Sequence, residues 1–148
     1  MSSQEKLHDH IIGLSNADSW QNARSEWILE SVYHSEQPET CPCGQFPIVE
    51  ICVIRNRFNG NTTEVGNVCV KNFLKLPSEG LFKSIRYVRE DASRSFSIEM
   101  ILYAYEKRII NDWEYKFYGS IRGKRRLSGK QLTKKDQINS KILKAITR

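Results

Sequence analysis

Apolar residues follow a helical spacing early in the chain. Trp20, Ala23 and Trp27 recur at intervals of three and four residues, which places them on one face of an α-helix. This pattern predicts a helix that starts at residue 18 or 19 and continues to residue 33. Pro38 cannot continue a helix and marks the loop that follows.

The pattern after this loop indicates β-structure. Residues 46–54 are rich in Ile and Val and predict a strand. Asn59-Gly60 is typical of a tight hairpin turn, and residues 62–65 form the predicted return strand. Residues 68–76 then predict a short helix that carries Cys69 in its first turn.

Helical periodicity dominates the second half. From Ser97 onward a stripe is expected on one buried face, formed by Ile98, Ile101, Leu102, Tyr105 and Ile109. Ser128 with Gln131 is typical of a capping box and predicts a helix over residues 129–147. That helix is expected to bury Leu132, Ile138, Ile142 and Ile146. An aromatic run is interpreted as core and not as a base-stacking platform: Trp113, Tyr115, Phe117 and Tyr118.

Composition narrows the class of protein. The chain has 148 residues, of which 39% are hydrophobic and 10% aromatic, so it is expected to fold around a core and not to be disordered. It contains neither a membrane-length apolar run nor the basic and apolar start of a secretory signal. These features favour the cytoplasm, of a bacterium or of an infected host cell, and no membrane partner.

Charge is unevenly distributed. The formal net charge is +6 in total, but it is −6 over residues 1–50, +3 over residues 51–105 and +9 over residues 106–148. A strongly basic end suggests contact with nucleic acid. A solvated helical surface is the alternative explanation.

Four cysteines lie within one short stretch: Cys41, Cys43, Cys52 and Cys69. In a reducing compartment, clustered cysteines indicate metal ligands before disulfides. Zn²⁺ takes thiolates in tetrahedral groups of four. We therefore predict a structural Zn²⁺ site, in which Cys41-Pro-Cys43-Gly44 forms a tight turn and Cys69 lies at a helix start.

The fourth ligand is open at this point. Cys52 is favoured because one thiol would otherwise go unused. It lies in the middle of the predicted strand, where it is equally suited to be a small buried residue. His34, seven residues before Cys41, is the alternative ligand.

The residues around these cysteines resemble a zinc-knuckle module. The segments concerned are Cys41-Pro-Cys43-Gly44, residues 54–61 and residues 65–73. They are similar to a treble-clef-like module of small, mostly uncharacterised phage and mobile-element proteins, and residues 127–131 look like a segment that follows it. The resemblance covers about half the chain. It implies a zinc-stabilised module and a phage or bacterial setting.

These observations predict an α+β fold. A small zinc-stabilised β-hairpin, treble-clef-like unit is surrounded by helices, and the C-terminal half is mainly helical. Three segments are expected: a helical acidic segment over residues 1–37, the zinc-binding hairpin and short helix over residues 38–77, and a helical segment with a basic final helix over residues 78–148.

No catalytic constellation is found. Treble-clef units also support HNH-type nucleases, which need a histidine base on the hairpin and a metal ligand on the helix. The three histidines, His8, His10 and His34, all precede the hairpin. The chain is therefore expected not to be an enzyme.

Non-catalytic nucleic-acid binding is the favoured function, to DNA or RNA. The candidate contacts combine cationic side chains with one aromatic ring. They are Arg55, Arg57, Phe58, Lys71, Lys75, Arg122, Lys124, Arg125, Arg126, Lys130, Lys134 and Lys135. The alternative is a protein-binding adaptor or inhibitor that modulates a host enzyme or defence complex, with Trp20 and Trp27 of the acidic front docking the partner.

Overall fold

The computed structural model describes all 148 residues. They form an α+β fold, which confirms the predicted fold class. It has one three-stranded antiparallel sheet, where the sequence predicts a two-stranded hairpin, and seven α-helices. The chain divides into two compact units, which are described separately. Unit 1 comprises Met1–Glu79 with Arg148, and unit 2 comprises Gly80–Thr147. None of the helices combines the length and the apolar character needed to cross a membrane.

Unit 1 is built on the sheet. Its strands are β1 (Trp27–Glu39), β2 (Ile48–Asn56) and β3 (Thr62–Gly66), in the order β1-β2-β3. The predicted hairpin is β2–β3. Its turn is closed by Asn56, whose Oδ1 accepts the backbone N–H groups of the two residues that follow Arg57, and Gly60 supplies a left-handed φ of 78°.

The helix predicted over residues 18–33 is wrong from Trp27 onward. Only α2 (Trp20–Arg24) is helical, and β1 pairs with β2 from Trp27 opposite Asn56 to Glu39 opposite Ile48. The register shifts between Leu29 and Ser31 and again after His34. These irregularities break the two-residue alternation of a strand and leave an apolar spacing that resembles a helix. Pairing with β2 then decides the conformation.

Three further helical segments complete unit 1. Helix α1 (Ser3–Gly13) begins at a capping box formed by Ser2 and Glu5. It packs Leu7 and Ile11 into the core. Helix α3 (Asn67–Cys69) follows β3 directly and continues as the π-helical turn Val70–Leu74. The order of strand, short helix and wider turn positions Cys69 at the end of the hairpin.

Unit 2 is helical. Its elements are α4 (Glu79–Glu90), α5 (Ile98–Glu106), α6 (Asp112–Ile121) and α7 (Gly129–Ala145). The capping box predicted for α7 is present, with Ser128 and Gln131 bonded reciprocally. Tyr118 of α6 is fully buried, and its hydroxyl donates to Asn139 of α7 at 2.7 Å. This contact joins the two helices through the core of the unit.

The buried faces of α5 and α7 differ from the predicted stripes. Met100, Ile101 and Ala104 form the buried face of α5, whereas Ile98 is 67% exposed. The helix ends at Glu106, so residue 109 is not part of it. In α7 the buried stripe begins only at Lys135, and Leu132 is half exposed. Periodicity finds the helices but does not determine which of two adjacent apolar rows faces the core.

Candidate functional site

Three of the four cysteines converge in unit 1. The sulfurs of Cys41, Cys43 and Cys69 all lie within 4.8 Å of one another, and all three residues are buried. The Sγ atoms of Cys41 and Cys69 are 3.8 Å apart although 28 positions separate them in the chain. This arrangement is able to hold a metal ion.

A tight turn brings the first two sulfurs together. The backbone N–H of Cys41 donates to the carbonyl of Gln45 at 2.9 Å, and that of Gly44 donates to the carbonyl of Cys41 at 2.7 Å. Gly44 has a φ of +95°, which side-chain-bearing residues rarely adopt. The chain thus reverses directly after Cys43, so both thiols lie on the inside of the turn.

Backbone amides stabilise negative charge on these sulfurs. The amide nitrogen of Gln45 lies 3.4 Å from Cys43 Sγ, and that of Gly66 lies 3.5 Å from Cys41 Sγ. A hydrogen bond from the Cys69 thiol is the main cause that lowers the pKa of Cys41 to about 5, and it raises the pKa of Cys69. These hydrogen bonds favour the thiolate form of Cys41, which is the form that binds metals.

Asn67 connects the helix that carries Cys69 to the sheet. Its Nδ2 donates to Glu50 of β2 at 3.2 Å and to Glu79 at 2.9 Å. Its Oδ1 accepts the Ser78 hydroxyl at 2.6 Å. Asn67 is only 3% exposed, so these bonds replace water and fix the start of α3.

The structure leaves Cys52 outside the three-sulfur group, although the sequence favours it as the fourth ligand. Cys52 is fully buried in the central strand, opposite Val32 and Val65. Burial raises its pKa to about 12, and its side chain hydrogen-bonds Ser78. His34, the alternative ligand, lies in β1 opposite Glu50 and is also outside the group.

A cavity of about 190 Å³ adjoins the cluster. Cys41 and Cys69 line it together with Glu50 and Asn67. Its other walls are mostly apolar: Pro47, Ile48, Val49, Gly66 and Val68, with Gln45. Local spacing in the sequence does not single out Glu50 or Asn67, because their convergence depends on the register between β2 and β3.

The histidines near the N-terminus have structural contacts. The His8 ring stacks on Trp20 with centroids 3.8 Å apart. His10 Nε2 lies 2.7 Å from Thr63 Oγ1, and partial burial is the main cause that lowers its pKa. Neither belongs to the three-sulfur group.

The cationic candidates of unit 1 divide into paired and unpaired groups. Arg55 forms an ion pair with Glu30 at 2.8 Å. The Arg57 guanidinium lies over the ring of Phe58, which is 62% exposed. Lys71 and Lys75 are exposed on and after the π-helical turn.

Unit 2 carries sixteen Lys and Arg against seven Asp and Glu, for a formal charge of +9. Among the predicted contact residues of unit 2, four exposed cations form no ion pair: Lys124, Arg125, Arg126 and Lys130. Arg122 donates through Nε to the carbonyl of Phe96 at 2.9 Å. Lys135 is buried, and its ammonium donates to the Ser93 carbonyl at 2.8 Å. This burial disfavours the predicted contact of Lys135 with nucleic acid.

An aromatic pair lies on the surface of unit 2. Trp113 is 57% exposed and stacks on Phe117 with centroids 5.1 Å apart and ring planes 9° apart. The ammonium of Lys134 lies 5.2 Å from the centre of the Trp113 ring. Tyr118 is a core residue, as predicted for the whole run, but Trp113 is not. More than half of its surface is therefore exposed, although Phe117 and Lys134 both contact the ring.

Comparison of the chain with protein-family models, with curated proteins and with solved structures gives no match. Functional inference therefore depends on the two features described above, which are the three-sulfur cluster of unit 1 and the cationic, aromatic surface of unit 2.

Proposed function

We propose that this protein is a non-catalytic nucleic-acid-binding protein that is stabilised by Zn²⁺. The observation that carries the proposal is the exposed Trp113 with Lys134 beside its ring, on a unit of formal charge +9. Lysine and arginine neutralise phosphates, and an exposed aromatic face stacks on a base. Together they suit a single-stranded nucleic acid.

Three of the unpaired cations follow the C-terminal end of α6, whereas Trp113 lies at its N-terminal end. Helix α6 has ten residues, so these two features are about 15 Å apart along its axis. Lys124, Arg125 and Arg126 belong to the loop that follows this helix. A single-stranded nucleic acid with one base stacked on Trp113 and its backbone running along α6 would place its phosphates next to these cations.

Zn²⁺ is the metal that best fits the sulfur cluster. Thiolates are soft ligands, and sulfur-rich tetrahedral sites with no redox role usually hold zinc. In this proposal the ion joins the Cys41–Cys43 turn to Cys69 in a treble-clef-like module. The resemblance to zinc-knuckle modules supports this assignment and a phage or mobile-element setting.

Binding to labelled single-stranded DNA and RNA, measured by fluorescence anisotropy, tests the nucleic-acid function. Trp113→Ala should weaken binding by roughly 5-fold to 100-fold, the range for loss of one stacked base. Trp113→Phe should retain most of the affinity. Reversal of charge at Lys124, Arg125 and Arg126 should reduce the salt dependence, which Trp113→Ala should leave unchanged. Absence of binding by the wild-type protein would refute the function.

Elemental analysis tests the metal. One zinc ion per chain is expected, with loss in Cys43→Ser and retention in a Cys52→Ser control. Zinc-free wild-type protein that folds as well as the untreated protein would refute a stabilising role.

A protein-binding adaptor is the second candidate. Val49 and Val68 are exposed and line the cavity beside the sulfurs, and Phe46 is exposed nearby in sequence. These apolar side chains favour a protein contact in unit 1. Of the two predicted docking residues, Trp27 is not suited to it, because it is buried and donates to Ser15. A partner that co-purifies after nuclease and high-salt treatment would support this candidate.

A further inference from the structure

We propose that a metal ion held by Cys41, Cys43 and Cys69 keeps one coordination position open to the adjacent cavity, where it takes a neutral ligand that donates a hydrogen bond. Water is the simplest such ligand, and an imidazole ring is a stronger one. This inference rests on the proposed metal site and specifies how that site is completed.

The chain provides three converging sulfurs for an ion that needs four donors. Structural zinc sites are closed by four protein ligands, whereas sites with three protein ligands bind an external molecule at the fourth position. The group of side chains close enough to share one ion consists of Cys41, Cys43 and Cys69. Cys52 instead forms a hydrogen bond with Ser78, whose hydroxyl donates to Asn67 Oδ1.

Space for an external ligand exists beside two of the sulfurs. Cys41 and Cys69 both line the 190 Å³ cavity. A water molecule in the liquid occupies about 30 Å³, so the cavity also accommodates a five-membered ring. Its apolar walls, which include Val49 and Val68, suit the carbon edge of such a ring.

Charge selects a neutral ligand. Three thiolates around a divalent cation leave a net charge of −1, and Glu50 lines the same cavity. A fourth anionic ligand would increase the repulsion in a partly buried site. A ligand with an N–H or O–H group instead offers a donor to the Glu50 carboxylate, and Asn67 Nδ2 orients this carboxylate from 3.2 Å.

Cobalt substitution of the full chain tests the inference, because the sulfur-to-cobalt charge-transfer absorbance reports the number of bound thiolates. We expect Cys52→Ser and Cys52→Ala to match the wild type. Cys41→Ser, Cys43→Ser and Cys69→Ser should each lose about a third of the absorbance, as expected for three thiolate ligands. Using two Cys52 variants separates loss of a ligand from a packing defect.

Imidazole, added to the cobalt-loaded protein, probes the open position. The cobalt d–d bands should shift saturably with no loss of metal. Glu50→Gln should raise the imidazole concentration at half-saturation about tenfold or more, as expected for loss of a charged hydrogen-bond acceptor.

Three results would overturn the inference. If both Cys52 variants lose about a quarter of the charge-transfer absorbance and imidazole has no effect, the site is closed by four thiolates. The open position is then refuted, whereas the proposed metal site is retained. If imidazole acts only on Glu50→Gln, Glu50 itself is the fourth ligand. If the wild type takes up no cobalt and no zinc, the inference and the metal site are both refuted.

Discussion

Gly66 lies directly against Cys41. Its amide nitrogen is 3.5 Å from Cys41 Sγ, and a Cβ on Gly66 would be 3.6 Å from the same sulfur and 3.3 Å from Ile48 Cδ1. The last residue of β3 therefore contacts the sulfur cluster through its backbone, and a side chain would have to displace Ile48.

Gly66→Ala should destabilise unit 1 by about 1 kcal/mol, the lower end for overpacking, because Ile48 must move by a few tenths of an ångström to admit the Cβ. It should also weaken metal retention. Thermal unfolding and competition with a zinc chelator measure the two effects. Gly13→Ala is the matched control, because a Cβ at Gly13 meets no atom within 4 Å. Equal behaviour of the two variants would contradict the packing argument.

Gly119→Ala should stabilise unit 2. Gly119 lies inside α6, is exposed, and has no atom within 4 Å of the Cβ position. Alanine reduces the conformational entropy lost on folding, which stabilises an exposed helix by about 0.5–1 kcal/mol. Urea unfolding measures this gain, and a lower midpoint for the variant would count against the described conformation of α6.

The two lysines at the start of α7 should separate stability from binding. Lys135→Ala removes the hydrogen bond from the buried ammonium to Ser93 and should cost about 1–3 kcal/mol of unfolding free energy. Lys130→Ala should change stability by less than about 0.5 kcal/mol. It should, however, reduce the salt slope of nucleic-acid binding by about one.

Urea unfolding and anisotropy on both lysine variants check this separation. A stable Lys135→Ala protein with weakened binding would show that Lys135 contacts nucleic acid after all.

Glu26 should contribute to stability at neutral pH and lose its contribution in acid. The Asn56 amide, followed by the backbone N–H groups of Asn16 and Ala17, holds the pKa of Glu26 below its ordinary value of 4.5. The folded protein therefore favours the carboxylate. Its contribution is present above the pKa of the unfolded chain and disappears as the pH falls through the lower folded pKa.

Unfolding free energies of wild type and Glu26→Gln measured from pH 7 to pH 3 test this dependence. The difference between them should decrease toward acid. Glu106→Gln is the control, since this exposed carboxylate forms no hydrogen bond. A difference that stays constant with pH would exclude the proposed role of Glu26.

Helices and strands that begin or end at a recognisable turn or capping residue are predicted well from the sequence. The Asn-Gly turn of the hairpin and the Ser128–Gln131 capping box depend on a few neighbouring residues, and both are found. Strand β1 was missed because its conformation depends on pairing with β2, which lies about 20 residues further along the chain. Local spacing contains no information about that pairing.

The same limit applies to the site. Clustering in sequence predicts that Cys41, Cys43, Cys52 and Cys69 converge, and all of these except Cys52 do. The spacing of the cysteines does not reveal the hydrogen bond between Cys52 and Ser78. This hydrogen bond depends on which face of β2 lies against the residues that follow the π-helical turn. The buried state of Lys135 was equally hidden, since its partner Ser93 lies in a loop 42 residues away.

The three sulfurs come from the two sides of the β2–β3 hairpin, and an ion bound to them would close a loop of about 25 residues between Cys43 and Cys69. Such a cross-link restricts the unfolded chain, and by analogy with a disulfide it is worth about 3 kcal/mol. Unlike a disulfide, it is removed by a chelator and restored by adding metal. Metal supply would then set the folded fraction of the unit without any change of redox state.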